Sequence, residues 1–188
     1  MAETLPFSAA VTRTAAALMA ALLATSAPGA LMAADGPAAV IRIGSLYEPQ
    51  NLDNTAGAGQ GISEAFNDNV YEALFRLNDD GSVEPVLASR HDVSDDGLTH
   101  TFSLREGVHF HSGDPLTAAD VKYSIERVKA ESSRSSRKSS LASIDSVETP
   151  DDHTVIVRLK SKSISLPYNL SYVWVVNDAA GDITQKED

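Results

Sequence analysis

The stretch VSDDGLTHTFSLREGVHFHSGDPLTAADVKYSIER, residues 93–127, predicts both main elements of the fold. Its residues 94–97, SDDG, are a turn sequence, because glycine readily adopts the left-handed backbone that tight hairpins use. Residues 88–93 and 98–104 flank this turn as two predicted strands of a β-hairpin. Alternate side chains of the second strand share one face of the sheet: Leu98, His100, Phe102 and Leu104.

The second half of the stretch predicts an α-helix that begins after Pro115. Thr117 is a suitable N-cap, and Asp120 three residues later completes a short capping box. The apolar residues that follow recur at the spacing of one helical face: Val121, Ile125 and Val128. The stretch therefore predicts a hairpin followed by a helix with one buried stripe.

The residues before this stretch predict a strand, a helix and a short hairpin. Three of the residues 40–43, VIRI, are β-branched and apolar, namely Val40, Ile41 and Ile43, which favours a strand. A first helix is predicted over residues 63–75, with Ser63 as its N-cap. Its buried face would be formed by apolar residues four apart: Ile62, Phe66, Val70 and Leu74. The turn sequence NDDG at residues 78–81 then predicts a short hairpin.

The residues after the stretch predict a loop, a third hairpin and an apolar run. Residues 129–140 are basic and rich in serine, which is typical of a solvated loop. The sequence TPDD at residues 149–152 predicts the turn of the hairpin. Residues 166–176 are apolar, but their pattern fits helix and strand equally. Hairpins alternating with single helices predict an α+β fold with a mixed, mainly antiparallel sheet.

The composition indicates an exported globular protein. The chain has 188 residues and a formal net charge of −11, which argues against nucleic acid as a partner. Residues 15–24, AAALMAALLA, follow Arg13 and are too few for a permanent membrane helix, so they predict a signal peptide over residues 1–34. The sequence has no cysteine, so we expect no disulfide and no cysteine-linked lipid. We expect a soluble periplasmic protein that is not a lipoprotein.

Residues 93–127 also resemble the signature region of the extracellular solute-binding proteins of family 5, which serve peptide, nickel and glutathione ABC importers. The residues that carry the resemblance fall in three groups: Ser94, Asp96 and Gly97; Thr101, Phe102, Leu104, Arg105, Gly107, Val108, Phe110 and His111; and Gly113, Pro115, Leu116, Thr117, Ala118, Asp120 and Val121. The resemblance extends over about residues 40–176. Many of these residues are turns and caps, so they identify a fold more sharply than a ligand.

The resemblance implies that the chain forms part of lobe one of a two-lobed, type II-like periplasmic binding protein. Because members of the family are much longer, we expect an N-terminal fragment whose second lobe is missing and which binds little or no ligand by itself. The implied organisation is a signal peptide at 1–34, a first strand and loop of lobe one at 35–60, a small α+β subdomain at 61–165, and a truncated return toward lobe one at 166–188.

The implied function is the substrate-binding component of an ABC importer. It would bind a peptide or other small polar solute as a monomer and deliver it to a membrane ABC permease complex, with no cofactor and no covalent chemistry. The predicted ligand contacts are Tyr47, Glu48 and Asn51, in the loop after the first strand, and Trp174, near the end of the chain.

The histidines leave an alternative function open. His109 and His111, together with Asp114, are residue types that bind zinc, nickel or copper, and residues two apart in an extended segment point to the same side. The alternative is an exported metal-binding protein or enzyme that uses His109 and His111. The competing interpretation is that these histidines only pack in a loop.

Overall fold

The computed structural model describes residues 44, 46, 51–56 and 60–180. In chain order its elements are helix α1 (Gln60–Phe66), strands β1 (Phe75–Leu77), β2 (Val83–Pro85), β3 (Ala88–Val93) and β4 (Thr99–Leu104), helix α2 (Ala118–Lys129), strands β5 (Ile144–Asp151) and β6 (Thr154–Leu159), and helix α3 (Leu166–Leu170). Short 3-10 helices lie at Lys138–Leu141 and Asp178–Ala180. The predicted signal peptide and the strand predicted at residues 40–43 lie outside the described residues.

Two antiparallel sheets organise the described residues. Strands β3, β4, β6 and β5 form a four-stranded sheet in that spatial order, and β1 pairs with β2 in a separate hairpin. All three predicted hairpins are present, and α2 lies within one residue of its predicted start. The predicted α+β class with mainly antiparallel strands is therefore confirmed.

The core lies between α2 and one face of the larger sheet. Phe102 of β4 and Ile125 of α2 are fully buried, and each large apolar side chain removed from water in this way stabilises the fold by about 1.5–3 kcal/mol. His100 and Leu104 are buried beside Phe102, so the predicted alternation in β4 is confirmed. The stripe predicted for α2 is also buried: Val121, Ile125 and Val128.

The prediction for the first helix was wrong about its start. Helix α1 begins at Gln60, so Ser63 lies inside the helix and is not its N-cap.

The prediction was also wrong about the end of this helix. Helix α1 stops at Phe66, whose carbonyl oxygen accepts hydrogen bonds from the amides of Asn69, Val70 and Tyr71. Asp68 takes a positive φ of 57°, which ends the helix, since aspartate tolerates the left-handed region better than most residues do. Val70, predicted on the buried face, is 44% exposed as a result.

The turn of the third hairpin is also displaced from its predicted place. Strand β5 continues through Pro150 to Asp151, and the turn is made by Asp152 and His153. The pairing of β5 with β6 shifts register between Glu148 and Asp151, so Pro150, which has no amide hydrogen to donate, lies in an irregularity of the ladder. The run at residues 166–176 combines the short helix α3 with an irregular, buried segment.

Asp120 holds the start of α2 in place with both oxygens of its carboxylate. Its Oδ2 accepts hydrogen bonds from the backbone amide of Thr117 at 2.7 Å and from the Thr117 hydroxyl at 2.8 Å. Its Oδ1 accepts the backbone amide of Asp178 at 2.9 Å. Asp120 is 3% exposed, so this carboxylate compensates for its own burial by three hydrogen bonds. The predicted capping box is confirmed.

Replacing Asp120 by alanine should lower the free energy of unfolding by about 2–4 kcal/mol, because the helix loses its cap and the amide of Asp178 loses its acceptor. Urea denaturation followed by circular dichroism measures this. The control is Glu126→Ala on the same helix, where the exposed carboxylate lies 3.9 Å from Lys122 and should contribute about 0.5 kcal/mol or less. Equal losses in the two variants would contradict the role of Asp120.

A pair of histidines bridges strands β3 and β4. The His91 and His100 rings are stacked with their centroids 5.1 Å apart, and Nε2 of His91 lies 2.9 Å from Nδ1 of His100. His91 also stacks on Phe102 at 4.6 Å and meets Phe75 edge-on. Burial lowers the pKa of both imidazoles; repulsion between the rings lowers the His91 pKa further, and the Asp92 carboxylate partly offsets that.

The histidine pair should make the protein less stable in mild acid. Both pKa values lie below the unfolded value of about 6.5, so as the pH falls below that value the unfolded chain takes up protons that the folded chain does not. Urea midpoints between pH 8 and pH 5 should therefore be constant above about 6.5 and fall below it. His91→Phe should flatten this dependence, whereas His153→Gln, in the exposed β5–β6 turn, should leave it unchanged. A flat profile in the unaltered protein would contradict the assignment.

Candidate functional site

An open groove lies where residues 68–72, 108–111 and 175–177 meet. Its volume is about 420 Å³, and its apolar lining includes Val70, Tyr71, Val108, Phe110 and Val175. The exposed side chains of Glu72, His109 and His111 add polar groups at the same place. A concave surface with apolar walls and a few polar groups is the usual form of a small-molecule binding site.

The loop that carries the histidines is fixed by backbone hydrogen bonds and glycines. Gly107 and Gly113 have positive φ values of 72° and 93°, which side chains rarely allow. Between them the amide of Phe110 donates to the carbonyl of Asp114 at 2.9 Å, and the amide of Leu116 donates to the carbonyl of Val108 at 2.9 Å. The residues of the signature resemblance therefore build one side of the groove.

An aromatic cluster supports the opposite side of the groove. The rings of Tyr71 and Trp174 are stacked with their centroids 4.8 Å apart and an interplanar angle of 8°, and Phe66 meets both edge-on. The indole Nε1 of Trp174 donates to Oδ1 of Asn67 at 2.9 Å. Trp174 is 6% exposed, so it lies behind Tyr71, the ring that lines the groove. The amide of Val175 donates to the carbonyl of Glu72 at 2.9 Å and joins the two segments.

A buried ion pair attaches residues 51–56 to helix α2. The Arg127 guanidinium bonds the carboxylate of Asp53, which is 1% exposed and also accepts the hydroxyl and amide of Thr55. Burial and, next, the charge of Asp53 raise the pKa of the Tyr71 phenol, which Arg127 partly offsets. Tyr71 is therefore a neutral phenol at physiological pH, suited to hydrogen bonding and ring stacking.

Two of the four predicted ligand contacts fall among the described residues. Asn51 turns its side chain back on its own segment, where Oδ1 accepts the amide of Asp53 at 2.9 Å. Trp174 belongs to the aromatic cluster. Tyr71 links Trp174 to residues 51–56, because its ring stacks on Trp174 and the charge of Asp53 raises the pKa of its phenol. Tyr47 and Glu48 lie outside the described residues. The role of all four in ligand binding stays a prediction.

The geometry gives the metal hypothesis little support. His109 lies at the groove with its Nδ1 3.1 Å from the carbonyl oxygen of Gly107. The Asp114 carboxylate is engaged elsewhere, since its Oδ2 accepts the Ser112 hydroxyl at 2.8 Å and the Asn177 amide at 2.8 Å. In residues 60–180 and the short described segments before them, no three histidine, aspartate or glutamate side chains come together as a metal site.

Tyr71 was not among the predicted site residues, because the four-residue spacing of the neighbouring apolar side chains placed it inside a continuous helix. The run Asn67-Asp68-Asn69 could have corrected this, because asparagine and aspartate favour helix ends and left-handed backbone over helix interiors. Ending the helix there would have placed Tyr71 in a loop beside a polar turn. The partner ring, Trp174, lies more than a hundred residues away in sequence and no local pattern links the two.

Comparison with known proteins agrees with this architecture. Residues 82–187 match the profile of the family described as bacterial extracellular solute-binding proteins, family 5 Middle. The glutathione-binding protein GsiB of Pectobacterium atrosepticum is 34% identical over 147 residues, which cover 78% of this chain and 28% of that protein.

Solved structures show the same similarity. The structure of AgaA from A. tumefaciens R10 in complex with agropinic acid is 32% identical with a TM-score of 0.66, and the match covers 71% of this chain and 27% of AgaA. The oligopeptide-binding protein AppA of Bacillus subtilis, solved with a nonapeptide, is 25% identical with a TM-score of 0.66, over 72% of this chain and 27% of AppA.

The chain thus spans little more than a quarter of the length of these proteins. Within the part of the chain that the structure describes, each helix is too short or too polar to cross a bilayer. The match to the family profile covers more than half of the chain, and the fold and the relatives agree with it. The protein therefore belongs to family 5 of the bacterial extracellular solute-binding proteins.

Proposed function

We propose that this chain is part of the substrate-binding component of an ABC importer. The observation that carries the proposal is the match of residues 82–187 to the family of extracellular solute-binding proteins. The protein would act in the periplasm as a monomer, bind a peptide or similarly polar solute and deliver it to a membrane permease complex. Its mechanism would be binding and release, without covalent chemistry.

The groove supports this proposal through the groups it presents. Val70 is 44% exposed there, and the neutral Tyr71 ring offers an apolar face to the side chain of a solute. Glu72 is exposed at the same groove and could pair with the ammonium group of a peptide. The net charge of −11 also favours the approach of solutes that carry a positive group.

The ligands of the relatives indicate the size of the solute. GsiB is named for glutathione, AppA was solved with a nonapeptide and AgaA with agropinic acid. All three are polar molecules with carboxylates and amide or amine groups. We propose Tyr47, Glu48, Asn51 and Trp174 as further contacts of this chain, with Trp174 acting through the Tyr71 ring that it supports.

The 188 residues should bind such solutes only weakly. In a two-lobed protein the ligand is enclosed from both sides, and a groove on one lobe supplies only part of the contact area. We therefore expect dissociation constants of about a millimolar or weaker for glutathione and short peptides. A tight complex with the 188-residue chain would contradict the shared-site proposal.

Trp174 is a suitable reporter because it is the only tryptophan in the sequence. A solute that contacts Tyr71 should change the fluorescence of the stacked indole. Val70→Ser should weaken this response about two- to fivefold, because part of an apolar contact is lost. The matched control is Val93→Ser on β3, which is 49% exposed and does not line the groove.

Equal weakening by the two valine variants would show that the groove is not where the solute binds. Absence of any response at solute concentrations well above about a millimolar, across a panel of di-, tri- and oligopeptides, glutathione and agropinic acid, would count against a solute contact at this groove. Circular dichroism of both variants confirms that they fold, which they should, since each changes a half-exposed side chain.

A further inference from the structure

A second pocket, of about 650 Å³, lies beside the end of helix α2 and shares no lining residue with the groove. We call it the basic pocket. It is lined by three lysines and three serines: Lys129, Lys138, Lys160, Ser135, Ser136 and Ser139. Such a concentration of ammonium groups is unexpected in a chain whose formal charge is −11.

Two of the three ammonium groups are held by hydrogen bonds, and none of the three forms an ion pair among the described residues. Nζ of Lys129 donates to the carbonyl of Ile144 at 2.8 Å, and Nζ of Lys138 donates to the carbonyl of Glu131 at 3.0 Å. Lys160 is anchored by its backbone amide, which donates to the carbonyl of Ser143 at 2.8 Å. Among residues 51–56 and 60–180, no carboxylate lies within ion-pair distance of these lysines.

The charge balance inside the basic pocket is positive. Burial lowers the pKa of Lys129, and the nearby charge of Lys160 lowers it further, while Glu126 and Asp145 oppose that shift. Asp145 lines the pocket with one negative charge, and the end of α2 contributes roughly half a charge more. Three ammonium groups exceed both, so a bound anion would relieve the repulsion between Lys129 and Lys160.

We propose that the basic pocket binds a phosphate or sulfate group. Lysine ammonium groups and serine hydroxyls are hydrogen-bond donors, and together they match the several acceptor oxygens of a tetrahedral oxyanion. The group could belong to a free ion or to the headgroup of a lipid, since the chemistry presented to the pocket is the same. The site is independent of the proposed solute-binding function, because it shares no residue with the groove.

The test is a titration of the 188-residue chain with sodium phosphate at constant ionic strength, followed by the amide shifts of residues 129–145 in NMR spectra. We expect saturable shifts, weakened about two- to fivefold by Lys138→Gln or Lys160→Gln, since each removes one partly exposed charge. The matched control is Lys122→Gln, also a partly exposed lysine, which lies outside the pocket on α2 and should leave the affinity unchanged.

Vesicles distinguish the two sources of the phosphate group. Sedimentation with phosphatidylglycerol vesicles, weakened by Lys160→Gln and absent with phosphatidylcholine vesicles, would assign a lipid headgroup. Saturable phosphate binding without sedimentation would assign a free ion or a phosphorylated solute. Shifts that do not saturate, or that Lys122→Gln weakens as much as Lys160→Gln does, would overturn the proposal, because they would indicate general screening of the chain's charge.

Discussion

The buried carboxylate of Asp120 is the interaction on which the arrangement of the described residues depends. One oxygen closes the first turn of α2 through Thr117, and the other holds the backbone at Asp178. A charge that is 3% exposed is stable only with such complete hydrogen bonding. The same residue therefore begins the helix and fixes the segment that returns to line the groove.

Two further polar residues of helix α2 lie on the same face as Asp120 and also hold other segments of the chain. The positions 120, 124 and 127 are separated by four and three residues, so they lie on the same side of a helix. Ser124 accepts the amide of Val176 at 3.0 Å, and Arg127 pairs with Asp53. Each polar residue of this face thus holds a segment that has little regular structure of its own. The adjacent apolar face, Val121, Ile125 and Val128, packs in the core and keeps the helix fixed.

The difference between the apolar and the polar face of α2 explains what the sequence could and could not predict. Hairpin turns and the apolar stripe of α2 are local patterns, and they placed β3, β4, β6 and α2 correctly. The polar face of α2 has the composition of an exposed helix surface, so periodicity alone gave no reason to expect Ser124 and Arg127 to be covered. Their partners are about fifty residues away or more, and only the folded chain brings them together.

Less of the candidate site could be predicted from the sequence, because here too the folded chain brings together residues that are far apart in sequence. The loop with His109 and His111 was recognised from its glycines and its resemblance to the family, but its histidines invited a metal hypothesis that the engaged Asp114 does not support. Tyr71 was missed because apolar residues four apart, such as Phe66 and Val70, fit a continuous helix as well as a helix followed by a turn. The groove exists because Asp68 ends α1 early, which brings Tyr71 against Trp174. A polar turn residue thus determines where the apolar surface of the groove forms.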